Sequence, residues 1–203
     1  MRYYIADCHF FHLAMNDKMD QRGFESTESM NKFMLKQWNS RVRKNDEVVI
    51  LGDLSFGKWE QTQTLVERLN GKKYLIAGNH DKYLNNKSFN KELFKKITSY
   101  DEMQDNNRKV ILCHYPIFCY NGQNRVDDFG NPKVYMLHGH IHNTIDQALV
   151  DKFVEETRKT KRIIQGKEQG IPCNIINCFC MKSNYIPLTL DEWIEIENKG
   201  LKG

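Results

Sequence analysis

Five short polar clusters follow one another along the chain: Asp7-Cys8-His9, Gly52-Asp53, Gly78-Asn79-His80-Asp81, Cys113-His114 and Gly139-His140-Ile141-His142. All but the last directly follow an apolar run. Of the seven histidines, His9, His80, His114, His140 and His142 lie inside these clusters, and His12 and His138 are close neighbours. Carboxylate, amide and imidazole groups gathered at the ends of several strands form the donor set that a pair of divalent ions needs. The chemistry they point to is metal-assisted hydrolysis.

The spacing within each cluster assigns parts. In Asp7-Cys8-His9 one residue separates the two donors, so in an extended backbone both leave on the same side and grip one ion while Cys8 faces the core. His140-Ile141-His142 repeats the arrangement. Asp53 follows Val48–Leu51, and Gly52 before it lets the backbone come close to the metals. Its two carboxylate oxygens suit a bridge between ions about 3.5–4 Å apart. Asn79 and His80 are adjacent and diverge, so Asn79 can ligate through its amide oxygen while His80 faces the substrate. Held there by Asp81, His80 would protonate a leaving oxygen or stabilise charge on a transferring phosphoryl group. His114 adds a neutral nitrogen.

These groups need strands to carry them. Short apolar runs at Tyr3–Ala6, Val48–Leu51, Tyr74–Ala77, Val110–Cys113, Val134–Leu137 and Cys173–Ile176 suit buried strands. Ser26 is the expected N-cap of a helix with Met30, Phe33, Met34, Trp38 and Val42 on its apolar face. Trp59, Leu65, Val66 and Leu69 mark a second helix, closed by Asn70-Gly71. The linker from Asp81 to Ser99 reads as partly helical around Leu93, Phe94 and Ile97. Residues 145–170 read as a helical excursion from the core, with one apolar stripe (Leu149, Val150, Phe153, Val154) followed by a polar stretch. Thr189 is the expected cap of a terminal helix through Trp193. Strands alternating with helices and then pairing directly imply an α/β layered fold with mixed sheets.

At 203 residues, 40% hydrophobic and 28% charged, the chain suits one domain spanning 1–203. No apolar stretch approaches the roughly 20 residues of a membrane span, and the start runs straight into motif residues without a signal-peptide pattern. The expectation is a soluble, cytoplasmic protein with no membrane partner. The six cysteines show no framework spacing and are read as reduced thiols. A net charge of +4 permits an anionic substrate without requiring nucleic acid.

The five blocks in this order resemble the calcineurin-like metallophosphoesterase superfamily, whose pattern is D-x-H, G-D, G-N-H-[DE], H and G-H-x-H. The resemblance spans Asp7 to His142. The segments Ala6-Asp7-Cys8-His9-Phe10-Phe11-His12 and Gly52-Asp53-Leu54-Ser55-Phe56 look most like its compact bacterial and phage members. It implies a four-layer α/β/β/α sandwich in which Asp7, His9 and His142 hold one ion, Asn79, His114 and His140 hold the other, and Asp53 bridges them. It gives His80 the part of substrate-facing acid. The implied reaction is phosphoester hydrolysis, diester favoured over monoester, by hydroxide held between two divalent ions drawn from manganese, iron (Fe²⁺/Fe³⁺), zinc, cobalt and nickel. Protein phosphatases of the superfamily carry Asp-Arg-Gly after G-D and Glu after G-N-H. This chain has Leu54-Ser55-Phe56-Gly57 and Asp81, which disfavours that substrate class.

Other features have blander readings. Gly52 to Lys58 satisfies G-x-x-x-x-G-K, but Trp59 replaces the Ser or Thr that a P-loop needs for magnesium. Cys173, Cys178 and Cys180 lack paired C-x-x-C spacing, and buried thiols are the better reading. His12 either touches substrate or packs over the first loop, and His138 is read as supporting the ligands or the fold. Residues 119–134 offer Tyr120, Arg125, Asp127 and Asp128 as substrate-side candidates. The basic run Arg158, Lys159, Lys161, Arg162 and Lys167 reads as a solvated arm or a homo-oligomer contact, without the aromatic residues that single-stranded nucleic acid needs. The rival functions are a non-catalytic scaffold of the same fold and a nuclease.

Overall fold

In the computed structural model, which describes residues 1–164 and 166–200, the apolar runs form two four-stranded sheets. The first is wholly parallel and contains β1 (Arg2–Ile5), β2 (Glu47–Ile50), β3 (Lys72–Ile76) and β4 (Phe94–Thr98), in that order. In the second, β5 (Tyr100–Asp105) runs antiparallel to β6 (Arg108–Cys113). Beyond β6 lie β7 (Val134–His138) and a last strand at Ile175–Asn177, both parallel to it.

Alternation along the strands assigns side chains to layers. Tyr4, Val49, Leu51 and Ile76 of the first sheet meet Val110, Leu112, Leu137 and Ile176 of the second in one buried cluster between the sheets. The alternate residues Tyr3, Ile5, Val48, Ile50 and Leu75 face outward, against Met30, Met34 and Trp38 of α1 (Thr27–Arg41) and Leu65 and Val66 of α2 (Trp59–Arg68). On the far side, Ile111, Val134, Met136 and Ile175 pack on Val150 and Val154 of α3 (Ile145–Lys159). The result is the four-layer α/β/β/α sandwich. The α1 N-cap is Ser26, whose hydroxyl accepts from the Ser29 amide at 3.1 Å. The Thr189 hydroxyl accepts from the Glu192 amide at 3.3 Å where the terminal helix α4 (Leu190–Gly200) begins.

The sheets are joined at β1. Its free edge is covered by the segment after the last strand, through Tyr4 with Leu188 and Ala6 with Cys178 and Cys180, at 2.8–3.2 Å. The covering removes an unpaired edge. It also brings the loop after β1 beside the second sheet.

Several expectations are corrected. The linker from Asp81 to Ser99 is helical only in two 3-10 turns, Lys82–Asn85 and Lys91–Leu93, and residues 94–98 form strand β4, because the open edge of β3 pairs with them across a bulge at Lys73/Tyr74. The polar strand β5 has no apolar signature because it is an exposed-side edge strand. The strand expected at Cys173 starts at Ile175, since Cys173 takes a left-handed φ of 42°. The 145–170 excursion is helical only to Lys159. A hairpin of β8 (Lys161–Ile164) and β9 (Lys167–Gly170) follows, and the last strand is therefore β10.

The basic run is solvated at Lys159, Lys161 and Arg162 and tied down at Arg158. Lys159 pairs with Glu155 and Glu156, and Lys161 with Glu168. Arg158 is half-buried, and its Nε donates to the carbonyls of Pro172 and Cys173 at 2.8 and 3.2 Å. Lys167, whose side chain was counted with the run, lies outside the described residues in that respect. Arg158→Gln is expected to lower unfolding free energy by about 1–3 kcal/mol in a urea titration, the cost of stranding such acceptors. Exposed Arg162→Gln should stay within about 0.5 kcal/mol.

Candidate metal centre

The five clusters converge where β1, β2, β3, β6 and β7 end. Each of Asp7, Asp53, Asn79, His114 and His140 lies in the loop directly after one of these strands. The loops do not continue the strands. Asp7, His9, Asp53, His140 and His142 all take left-handed φ values, of 54°, 48°, 52°, 72° and 49°. For residues with a side chain this conformation costs roughly 1–2 kcal/mol each. Asp7 and His9 are thus brought together through a strained turn rather than an extended backbone, whereas His140 and His142 diverge, His142 towards His9 and His140 towards His114. Cys8 and Ile141 between them are buried in apolar clusters.

The loops are stitched together by backbone bonds. The amides of Asp7, His9 and Phe10 donate to the carbonyls of Gly52, Asp53 and Leu54 at 2.9–3.1 Å. The His140 amide donates to both Asp7 carboxylate oxygens, at 3.0 and 2.9 Å. Three motif glycines leave room for this approach. A Cβ on Gly52 would strike the His114 ring, one on Gly78 would strike the Asp53 carboxylate, and one on Gly139 would lie 2.6 Å from Asp7 Oδ2.

Two groups of side chains have ligand atoms within 4.8 Å of one another: Asp7 with His9 and His142, and Asp7 with Asp53 and His114. The Nε2 atoms of His9 and His142 are 3.2 Å apart. Asp53 Oδ2 lies 3.6 Å from His9 Nε2 and 3.5 Å from His114 Nε2, between the two groups. Asp7, which belongs to both, is a second carboxylate in the middle. Asn79 Oδ1 is 3.0 Å from His114 Nε2, and the exposed His140 ring packs against His114 with centroids 5.1 Å apart.

The electrostatics suit a divalent cation. Asp7 is fully buried, and burial raises its pKa to about 6 against the nearby histidines His142 and His114. Burial also opposes charge on Asp53, but the His114 hydrogen bond and charge and the His80 amide outweigh it and hold the pKa down to about 2. Burial drives His9 to about 2, which leaves it a neutral nitrogen donor. Among the described residues no Lys or Arg pairs with either carboxylate. The donor set of carboxylate, amide and neutral imidazole, with buried negative charge to compensate, fits divalent ions.

The remaining candidates are placed as follows. The His80 amide donates to Asp53 Oδ1 at 2.8 Å, and its ring lies beside His9 and Phe56, with centroids 5.5 and 5.6 Å away. Asp81 does not hold that ring. Its carboxylate accepts from the amides of Gly78, Asp53 and Leu54 at 2.8–3.0 Å, which clamps two loops together, and burial raises its pKa to about 6. The His80 Nδ1 has no protein partner. The His12 ring packs at a tilt against Phe56, centroids 4.0 Å apart, at the mouth of the cluster, and His138 is fully buried with Nδ1 against the Gly139 carbonyl.

Arg125 is not on the substrate side. It lines a cavity with Lys109 and Val134 at the starts of β6 and β7, the opposite end of the strands from the centre. Tyr120 is buried, and its hydroxyl accepts from the Asn174 amide at 2.6 Å, while Asp127 accepts from Phe129 and Asn131 within its own turn. Two residues in contact with the centre carried no motif. Asp20 Oδ1 sits 2.7 Å from His142 Nδ1, and Arg22 is buried against Asp20. Only a polar pair spaced by two in Asp20-Gln21-Arg22 marks them in the sequence.

A family model described as calcineurin-like phosphoesterase matches residues 3–180. A Methanocaldococcus jannaschii protein described as uncharacterized protein MJ1445 is 33% identical over 201 residues, covering 98% of this chain and 92% of the relative. A crystal structure of AQ665 from Aquifex aeolicus, titled a protein of unknown function, superposes with a TM-score of 0.63 at 20% identity. That match covers 97% of this chain and 98% of the other, and shows a shared fold.

Gly78→Ala is expected to fold but to bind divalent metal about 10–100-fold more weakly in a calorimetric titration, the range seen when a ligand's setting is disturbed. Gly170→Ala, where a Cβ meets open space, should bind as the parent does. Equal affinities for the two variants would contradict the packing described.

Proposed function

The chain belongs to the calcineurin-like phosphoesterase family, and from that premise we propose that it hydrolyses phosphodiesters with two divalent ions and His80 as the acid. The observation that carries the reading is the place of Asp53 Oδ2, 3.6 and 3.5 Å from histidines of the two donor groups, with Asp7 common to both. Asp7, His9 and His142 would hold one ion, Asn79, His114 and His140 the other, and Asp53 would bridge them. Bound there, the ions supply Lewis-acid charge and lower the pKa of water towards neutrality.

The protein's own groups account for the rest. The His80 amide is tied to Asp53, so its ring is carried at a fixed place beside the donors. Its Nδ1 is buried without a protein partner while the ring as a whole is half-buried at the edge of the donors, which supports a part in proton delivery to a leaving oxygen. The open side of the cluster is bordered by His12, Phe56, His80 and Tyr115. None is the guanidinium or ammonium that grips a dianionic phosphate, which favours the monoanionic diester over the monoester. No described helix is long and apolar enough to cross a membrane, and the free thiols support a reducing compartment such as the cytoplasm.

A panel of aryl and alkyl phosphomonoesters and diesters, assayed with manganese, iron, zinc, cobalt and nickel, tests the reading. Turnover is expected to vanish in chelator, return with metal, and favour diesters. His80→Ala should keep its metal yet lose about 10²–10⁴ in rate, with a smaller deficit on good leaving groups. Loss of metal from His80→Ala would reassign it as a ligand. Metal-loaded protein that turned over no ester would favour the non-catalytic scaffold.

A further inference from the structure

We infer that the buried pair Asp20–Arg22 positions the centre: Asp20 fixes the ring of His142, and Arg22 holds the backbone of Asp7 and Cys8. The inference rests on the metal-centre reading above. Asp20 closes a π-helical turn at Met15–Met19, in the loop between His12 and α1. Its side chain is 7% exposed and that of Arg22 is 0% exposed.

All three guanidinium nitrogens donate to oxygen. Nε and Nη2 donate to Asp20 Oδ2 at 3.1 and 2.8 Å, while Nη1 donates to the Cys8 carbonyl at 2.6 Å and Nη2 also to that of Asp7 at 3.0 Å. The planar fork thus fixes Asp20 and the strained Asp7–His9 turn with one rigid group. Asp20 Oδ1 remains for His142 Nδ1. Asp7 and Cys8 belong to the loop after β1 and His142 to the loop after β7, so one ion pair ties together donors from the two sheets.

The consequence for His142 is chemical. A carboxylate oxygen is only an acceptor, so the nitrogen 2.7 Å from it carries the hydrogen. Nε2 is then bare, and it is the atom 3.2 Å from His9 Nε2 and 3.8 Å from Asp7 Oδ1. The other two buried rings are supported differently. His114 Nδ1 lies 2.8 Å from the Leu51 carbonyl, and His9 Nδ1 has no partner. Of the three rings His142 is therefore the one whose Nδ1, away from the other donors, faces a carboxylate, the arrangement that fixes a tautomer and strengthens the opposite nitrogen as a donor. Phe179, stacked on His142 at 4.8 Å, restricts the ring from its face.

The test reads the ring directly. In metal-free protein at alkaline pH, ¹⁵N NMR of His142 is expected to show the Nδ1–H tautomer. Asp20→Ala should shift it towards Nε2–H. Titration with Mn²⁺ should then show one of two ions weakened about 10–100-fold and the other unchanged. Asp20→Asn, which keeps an oxygen acceptor, should retain the tautomer and lose less affinity. Asp20→Ala strands a buried guanidinium, so Asp20→Ala/Arg22→Met is measured beside it and carries the same expectation if the single variant does not fold. An Nε2–H tautomer in the parent protein, or an unchanged tautomer and unchanged Mn²⁺ binding in the folded variants, would overturn the inference. A parent protein that bound no Mn²⁺ would instead overturn the metal reading, and the tautomer measurement would still decide what Asp20 does to His142.

Discussion

Two buried carboxylates that, among the described residues, pair with no lysine or arginine sit at the seam between two sheets, and the arrangement of the loops around them follows from that. Asp7 is 0% and Asp53 2% exposed. Leaving an ion in such a place costs several kcal/mol unless a compensating charge arrives. The backbone does part of the compensating, with the His140 amide on Asp7 and the His80 amide on Asp53. Imidazoles crowd the remaining side: burial keeps His9 neutral, and it opposes charge on His114, whose pKa the Asp53 and Asp7 carboxylates nonetheless raise. A divalent ion would balance the carboxylates while leaving the rings as nitrogen donors, and its binding would stabilise the fold.

The strain in the loops has the same origin. Five of the donors occupy left-handed backbone conformations, which a chain selected only for stability would give to glycine. A glycine there would carry no donor. The fold accepts the strain and keeps glycine at three places in these loops where a side chain would fill the space the donors need. Gly52, Gly78 and Gly139 each precede a donor segment and lie against a neighbouring one. The clamps that hold this geometry are polar and buried: Asp81 between the loops after β2 and β3, and Arg22 on the loop after β1.

Much of the centre was legible because its donors sit at strand ends in compact clusters. Short apolar runs placed β1, β2, β3, β6 and β7, and the polar residues just after them named the donors that the structure gathers. What could not be read was tertiary. Phe94–Thr98 looks helical by spacing, but it becomes a strand because β3 offers it an open edge. Adjacency in the sequence pairs Asp81 with His80, whereas its carboxylate turns away to three amides. Arg125 was given a substrate role from its residue type alone, and the chain carries it to the far end of the sheet. Asp20 and Arg22 have no local signature because the groups they serve are 122 and 15 residues away in the chain.

The central claim is that the two donor groups form one dinuclear centre shared between Asp7 and Asp53. Anomalous diffraction from crystals of the manganese-loaded protein tests it most directly. The account requires two manganese peaks about 3.5–4 Å apart, with carboxylate oxygen of Asp53 between them and His142 and His114 on opposite ions. A single peak, or manganese bound away from these loops, would contradict it.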